Sequence, residues 1–448
     1  MIPSNLKYTN KAESAPGRRF LTQIQPQGST SFLQGETITI NIPTRNNTAL
    51  IPSESYLRGT INIGLATAAT AATLESCGFH NFIQRVRVFH GSNILEDIDN
   101  YGQLAKILYD YQAPEDAVKG RFSVTSGTSE EFTTTTGASS GALQVVQSVN
   151  RGQALGAIGT STAYPFAINL ISLVGALAGD KYLPLWEMTA APLRLEVVLQ
   201  TSVVNSMLLI GGGAAAFTLS GVNYCGEFLE LPDSAIASIK AGSSNPMQMV
   251  LPSWRSYTNS YSLNPGNTQC SFPIPAKFSS LKNIVVATRG QVAGTTGHYP
   301  SSHCAFGLGT TSTSGYQFRI GSEVLPSTAP VTLPEIYNEA VKCFGSLADL
   351  QLQPSINKTA FGLDLPSAAT DVTTASTLNS GAFLIGIDTE IYQNADKSTI
   401  FAGTNTNTSD IFAIINYNVA AAHNIKQTAF ACFDQVLAYE NGVCYSRY

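Results

Sequence analysis

The stretch Val88-Phe89-His90-Gly91-Ser92-Asn93-Ile94-Leu95, followed by Ile98–Tyr111 (IDNYGQLAKILYDY), decides the reading of this chain because it occurs twice. Phe318-Arg319-Ile320-Gly321-Ser322-Glu323-Val324-Leu325 repeats its order, and Leu333–Leu347 (LPEIYNEAVKCFGSL) follows. Each copy reads as a strand, a Gly-Ser turn, a short apolar run and an amphipathic helix with an early Tyr. Glycine permits the tight reversal that side chains with a Cβ resist. In the first helix Ile98, Tyr101, Leu104, Ile107 and Leu108 fall on one face; in the second Ile336, Tyr337, Ala340, Val341 and Phe344 do. One turn recurs easily by chance. Strand, turn and helix recurring together predict two similar domains in tandem, of about 200 residues each.

Outward from these copies, short strand-like runs alternate with turn signals. Thr37–Ile42, Ser55–Ile63, Gln84–Phe89, Tyr164–Ile171, Leu193–Leu199 and Thr218–Leu231 occupy the first half. Cys270–Ile274, Ser280–Thr288, Tyr316–Ile320, Phe383–Asp388, Ile411–Tyr417 and Thr428–Tyr439 occupy the second. In QRVRVF, Arg85 and Arg87 share one face and Val86 and Val88 the other, as in a half-buried strand. Many short strands predict an all-β chain of sandwiches or barrels. A short helix over Asp233–Ala241, with Asp233 at its cap, marks the join near Asp233–Pro252. Ser/Thr/Gly-rich Thr125–Gly141, Gly290–Gly315 and Ala368–Ser380 read as long surface loops.

The chain has 448 residues, 44% of them apolar and only 12% charged. Its longest apolar runs, Phe166–Ala178 and Met207–Phe217, are too short for a membrane helix of about 20 residues. The opening MIPSNLKYTN lacks the basic and apolar regions of a signal peptide. The net charge of −5 argues against non-specific nucleic-acid binding, which needs a basic stripe. Lys7, Lys11, Arg18 and Arg19 against Glu13 make only a weak basic arm. Seven scattered cysteines without a CxxC pair predict buried thiols and a reducing compartment rather than a disulfide framework or a zinc ribbon.

No catalytic constellation emerges. Gly137–Gly141 (GASSG) matches a nucleophile elbow but lacks the helix that must follow it. Gly211–Ala216 (GGGAAA) matches a relaxed dinucleotide fingerprint, with Glu230 downstream, but runs into more strand. Asp97–Gly102 (DIDNYG) opens like a calcium loop, yet Leu108 stands where a bidentate Glu is required. Asp97 and Asp99 are expected to favour the helix N-terminus instead. His298, His303 and Cys304 are too few for a zinc site. Asn46, Asn357 and Asn407 begin glycosylation sequons, which carry little weight without a signal peptide. The expectation is a chain with no catalytic, cofactor-binding or metal residues.

The order of segments resembles the double jelly-roll major capsid proteins of icosahedral viruses. Leu50-Ile51-Pro52 into Ser55-Tyr56-Leu57-Arg58 resembles the family's turn into an early strand. Val86–Leu108 resembles the strand, glycine turn and helix of the first roll. Tyr182-Leu183-Pro184-Leu185 with Pro192–Val197, Tyr224–Leu231 before Asp233, and Phe278–Thr288 resemble later strands. Tyr164–Ile168 stands where the family has a more aromatic strand.

The resemblance implies two tandem eight-stranded jelly rolls with a few short helices in the connections. The expected division is an N-terminal arm (1–28), a first roll (29–232), a linker with a short helix (233–252) and a second roll (253–448). It implies a non-enzymatic structural subunit that forms pseudo-hexagonal homotrimers tiling the shell of a DNA virus. Thr125–Gly141 and Gly290–Gly315 are the candidate outer towers. Expected partners are further copies of the chain, penton and minor capsid proteins, and an internal membrane reached by the arm, with no sequence-specific nucleic acid. Assembly would take place inside the host cell. The rival from another class is a glycan-binding jelly-roll spike or lectin-like attachment protein. Its weakness is the shortage of stacking aromatics, since Trp186 and Trp254 are the only tryptophans, and Trp254 is expected to be packed.

Overall fold

The structure, a computed structural model of the chain, describes residues 17–65, 71–137, 144–152, 154–156, 161–203, 206–210, 215–243, 246–265, 268–290, 303–347, 354, 356, 358–362, 381–392, 401–419 and 422–448. Eight strands form the first roll: β1 (Arg18–Ile24), β2 (Thr37–Ile42), β3 (Thr48–Leu65), β4 (Ile83–His90), β5 (Asn93–Asp99), β6 (Ser161–Ile168), β7 (Leu193–Leu199) and β8 (Ala215–Glu230). One sheet runs β1-β8-β3-β6 and the other β2-β7-β4-β5. Eight more form the second roll: β9 (Met247–Leu263), β10 (Gln269–Ile274), β11 (Leu281–Gly290), β12 (Gly315–Ile320), β13 (Glu323–Leu325), β14 (Ile385–Asp388), β15 (Ile411–Asn416) and β16 (His423–Glu440). Their orders are β9-β16-β11-β14 and β10-β15-β12-β13. Strand for strand, the second roll repeats the first. Two facing antiparallel four-strand arrays with this order are a jelly roll, so the chain is a double jelly roll. A last strand, β17 (Val443–Arg447), pairs with β16.

Alternation builds these sheets. In β7 Leu193, Leu195, Val197 and Leu199 are buried, while Arg194 and Glu196 are half-buried. Ile38, Ile40 and Ile42 of β2 are buried beside them. Fully burying a side chain of this size stabilises by about 1.5–3 kcal/mol. On the outer face Arg87 reaches Glu196 at 2.9 Å, and Arg85 grips Asp97 through two contacts of 2.7 and 2.6 Å. Such cross-strand pairs set the register.

The repeated turn is structural in both copies. Gly91 (φ +59°) and Gly321 (φ +61°) occupy the left-handed region. Their flanks pair as His90 with Asn93 and Ile320 with Glu323. Glycine first in a two-residue hairpin loop suits the right-handed twist of the strands.

The helices depart from expectation in instructive ways. Between β5 and β6 lie α1 (Tyr101–Tyr111), α2 (Glu115–Lys119) and α3 (Arg121–Ser126). Ile98 belongs to β5, and Asn100, at φ 51°, breaks strand from helix. All of α1 is buried, polar residues included, so it is not the one-sided helix its spacing predicts. Asp97 and Asp99 lie in β5, and Asp97 serves Arg85 rather than a helix end. The join carries α4 (Asp233–Gly242), with Pro232 rather than Asp233 at the cap position. Next come α5 (Leu333–Lys342) and α6 (Lys358–Phe361). In α5 Ile336, Ala340 and Val341 are buried, and Thr332 and Glu335 form a capping box.

Strand also appears where loop, arm or linker is expected. Thr128–Gly137 pairs with Gln144–Gly152 as a hairpin, so the threonine run of the expected loop is β-structure. Residues 18–24, read as arm, are β1, bonded along their length to β8. Residues 247–252, read as linker, open β9, which pairs with β16 throughout. The expected loop 368–380 and residues 291–302 lie outside the described residues.

Candidate assembly interface

Three elements of the first roll lie on the second roll: the β4–β5 hairpin, α1 and the segment after β6. The hairpin meets β17. Cys444 donates its backbone N–H to His90 Nδ1 at 3.1 Å. The other ring nitrogen, Nε2, faces the carbonyls of Met188 (3.2 Å) and Ala191 (3.0 Å), which places its proton there. Asn93 donates to the Cys444 carbonyl at 3.3 Å, and Ser446 to that of Ile94 at 3.1 Å. The Gln435 side-chain amide donates to the Leu95 carbonyl. From α1, Tyr111 donates its hydroxyl to the Ala382 carbonyl at 2.9 Å and stacks on Phe344. Asn100 reaches Thr258 of β9 at 3.4 Å. After β6, the turn Ala176–Ala178 lies against β9, and Lys181 donates to the Val250 carbonyl.

Charge is buried at this joint. Lys106 of α1, fully buried, has its Nζ 3.1 Å from Glu75, 3.0 Å from Ser76 and 3.4 Å from Asp110. From the second roll come Arg289 and His303. Burial lowers Arg289 to about 10 and holds His303 well below the usual imidazole range, with Lys106 and Arg289 adding to the effect. His303 is therefore neutral, and its Nε2 has no partner among the described residues. Turned so that its oxygen faces Arg289, the Gln103 amide accepts from the guanidinium. Desolvating such groups is costly and is tolerated in networks that satisfy them.

Two further buried groups brace the first roll. His80 contacts the hydroxyls of Tyr101 (2.9 Å) and Tyr109 (3.1 Å), and burial pushes it down to about 3. Burial raises the Glu96 carboxyl to about 7, against hydrogen bonds from Ser172 and the Leu173 N–H that pull the other way. Glu96 thereby ties β5 to the segment after β6.

The sequence motifs do not converge on a site. Of Gly137–Gly141, residues 138–141 lie outside the described residues, as do 211–214 of Gly211–Ala216 and His298. His303 and Cys304 are buried, the former in a bridge with Ala382. All seven cysteines are buried free thiols. Among the described residues no group of three His, Cys, Asp or Glu is placed to hold a metal ion, and no helix is long and apolar enough to cross a membrane. Asn46 and Asn407 are exposed; Asn357 lies outside the described residues. Trp254 is only 5% exposed, packed as expected. A cavity of about 750 Å³ opens beside α1 and α3, lined by Tyr56, Tyr109, Phe122, Asn169 and Leu177. A second, of about 540 Å³, follows the seam between the rolls past Trp254, Lys282, Lys342 and Asp434. The joint residues escaped sequence reading; their one signal was Lys106 and Asp110, a charged i,i+4 pair inside an apolar helix.

Comparison with solved structures finds this double roll elsewhere. The chain superimposes on the Sputnik virophage structure with a TM-score of 0.60 at 10% identity, covering 100% of this chain and 92% of that one. The mavirus major capsid protein gives 0.58 at 13% identity, covering 100% and 93%. The Faustovirus major capsid protein gives 0.55 at 9% identity, covering 97% and 92%. At these identities the likeness establishes the fold. No protein-family model matches the chain, and no curated protein sequence does.

Proposed function

We propose that the chain is a major capsid protein, the structural subunit of an icosahedral DNA virus. The observation that supports this most is the coverage. Capsid proteins match both rolls and the join between them, with nearly their whole lengths used. Three chains bring six rolls, which make a pseudo-hexagonal capsomer able to tile a curved lattice. In this reading the N-terminal residues face the shell interior and an internal membrane. The Thr125–Gly141 and Gly290–Gly315 segments face outward. Neighbouring capsomers, penton and minor capsid proteins are the partners, and the site of action is the virion shell. The chain acts by assembly rather than catalysis, without cofactor, metal or sequence-specific nucleic acid.

The glycan-binding alternative is weaker, because buried Trp254 offers no face for a sugar. Negative-stain imaging of the purified protein tests the proposal. Six-sided particles or closed shells are the expected result. Separate single chains that bind sugars on a glycan array would overturn it.

A further inference from the structure

We infer that the cavity beside α1 and α3 is a binding site for an aliphatic carboxylate, an apolar chain held at its charged end by Arg121. The site lies within a single chain and goes beyond the shell-subunit reading above.

Small side chains make the space. Ala113, Ala117, Ala167 and Ala176 line this cavity of about 750 Å³, a size within the range of roughly 300–1,000 Å³ that small-molecule sites occupy. Larger apolar groups complete the wall: Leu108 and Tyr109 of α1, Phe122 of α3, and Ile171 and Leu177 after β6. Phe122 holds α3 against α1, its ring centre 4.9 Å from that of Tyr109. The Tyr109 hydroxyl is already engaged by His80 at 3.1 Å and Ser126 at 3.3 Å, so what the ring has left for a ligand is apolar surface. Leu108, Gln112, Ala176 and Leu177 also line the cavity along the seam between the rolls, so the two spaces adjoin. The seam is charged, with Lys282 paired to Glu390 at 2.7 Å. An apolar occupant therefore runs from α3 towards Leu108 and Leu177 and ends where the charged seam begins. An extended chain suits that run.

Charge selects the head group. The charged side chains that line the cavity are Glu54 and Arg121. Glu54 is answered by Arg19, 3.7 Å away. On the neighbouring α2, Glu115 and Lys119 answer each other. Arg121, the exposed first residue of α3, has no carboxylate partner among the described residues, and its guanidinium lies 5.3 Å from the Phe122 ring. A guanidinium takes a carboxylate through two parallel N–H bonds. An anionic head on Arg121 with a tail past Phe122, Tyr109 and Leu177 matches both the unanswered charge and the apolar wall. A cationic amphiphile would be repelled by the same Arg121.

The test is calorimetric titration of the purified protein with decanoate and with decanol, which has the same chain and no charge. Decanoate is expected to bind saturably, one per chain, and to raise the melting temperature as its concentration rises. Decanol is expected to bind about tenfold more weakly or worse, for want of the charge-assisted hydrogen bonds. Arg121→Gln should bring decanoate down to the level of decanol and leave decanol unchanged. Ala117→Trp fills the cavity from α2 and should abolish binding of both, while melting like wild type without ligand. No saturable decanoate binding, decanol bound as tightly as decanoate, or an Arg121→Gln variant that binds decanoate like wild type would overturn the inference. Undiminished binding to a folded Ala117→Trp variant would do the same. Arg121 is exposed, so its comparison decides the matter if Ala117→Trp does not fold.

Discussion

The backbone N–H of Cys444 donates to Nδ1 of His90 across 3.1 Å, tying the last strand of the chain to the turn that opens the first repeat. The imidazole holds both sides because its other nitrogen donates to carbonyls of the first roll. Removing the ring strands a buried N–H, which costs about 1–3 kcal/mol. His90→Ala should therefore lower the melting temperature and speed hydrogen exchange of residues 443–447. Unchanged exchange there would show that the contact does not hold the rolls together.

Lys106 has a larger expected effect than His90. Lys106→Met removes the ammonium that lies 3.1 Å from buried Glu75, and breaking a buried ion pair from one side costs about 3–5 kcal/mol. The triple variant Lys106→Met, Glu75→Gln, Asp110→Asn removes the charges together and should recover part of that loss. Urea denaturation of the two variants compares them directly; equal stabilities would mean the cluster is not coupled.

The two repeat turns should be sensitive to a β-branched side chain. At Gly91 a Cβ would have room, with Ala191 no closer than 3.6 Å, so strain at positive φ dominates. Gly91→Val and Gly321→Val are each expected to destabilise by at least ~1–2 kcal/mol. Gly78→Ala is a different case, because its Cβ would lie 1.7 Å from the Ser126 carbonyl oxygen, and folded protein is not expected. Wild-type denaturation midpoints for the Val variants would refute the turn geometry.

Glu96 and His80 give pH dependences of opposite sign. Glu96 is raised from 4.5 to about 7. The unfolded chain loses this proton first, so the contribution is full below pH 4.5 and is lost as pH rises towards 7. His80 is lowered from 6.5 to about 3. Its contribution is full above pH 6.5 and is lost as pH falls towards 3. Glu96→Gln should remove the first slope and His80→Gln the second, as seen in melting curves taken across pH 3–8. A Glu96→Gln variant with the wild-type slope between pH 4.5 and 7 would exclude Glu96 as its source.

How legible all this was depends on which physics acts locally. Alternation made β7 readable to the residue, because one face of LRLEVVL meets the core and the other meets polar partners. The Gly-Ser turns were readable because only glycine fits them easily. By contrast, β1 and β9 are edge strands. Arg18, Arg19 and Pro252 suit an open or outer strand, yet in sequence they suggest arm and linker. Helix α1 misled for a tertiary reason: its polar residues are buried against distant segments, Lys106 against Glu75 and Ser76 and Gln103 beside Arg289 of the second roll. The joint lies in long-range pairs such as His90 with Cys444, and no local pattern announces those.

The central claim is that this chain is a ring-forming shell subunit, and the native mass of the purified protein tests it most directly. Sedimentation or mass photometry should give a stable species at three times the chain mass of 47.5 kDa, or larger assemblies built from it. A single species of 47.5 kDa that persists at every concentration would contradict it.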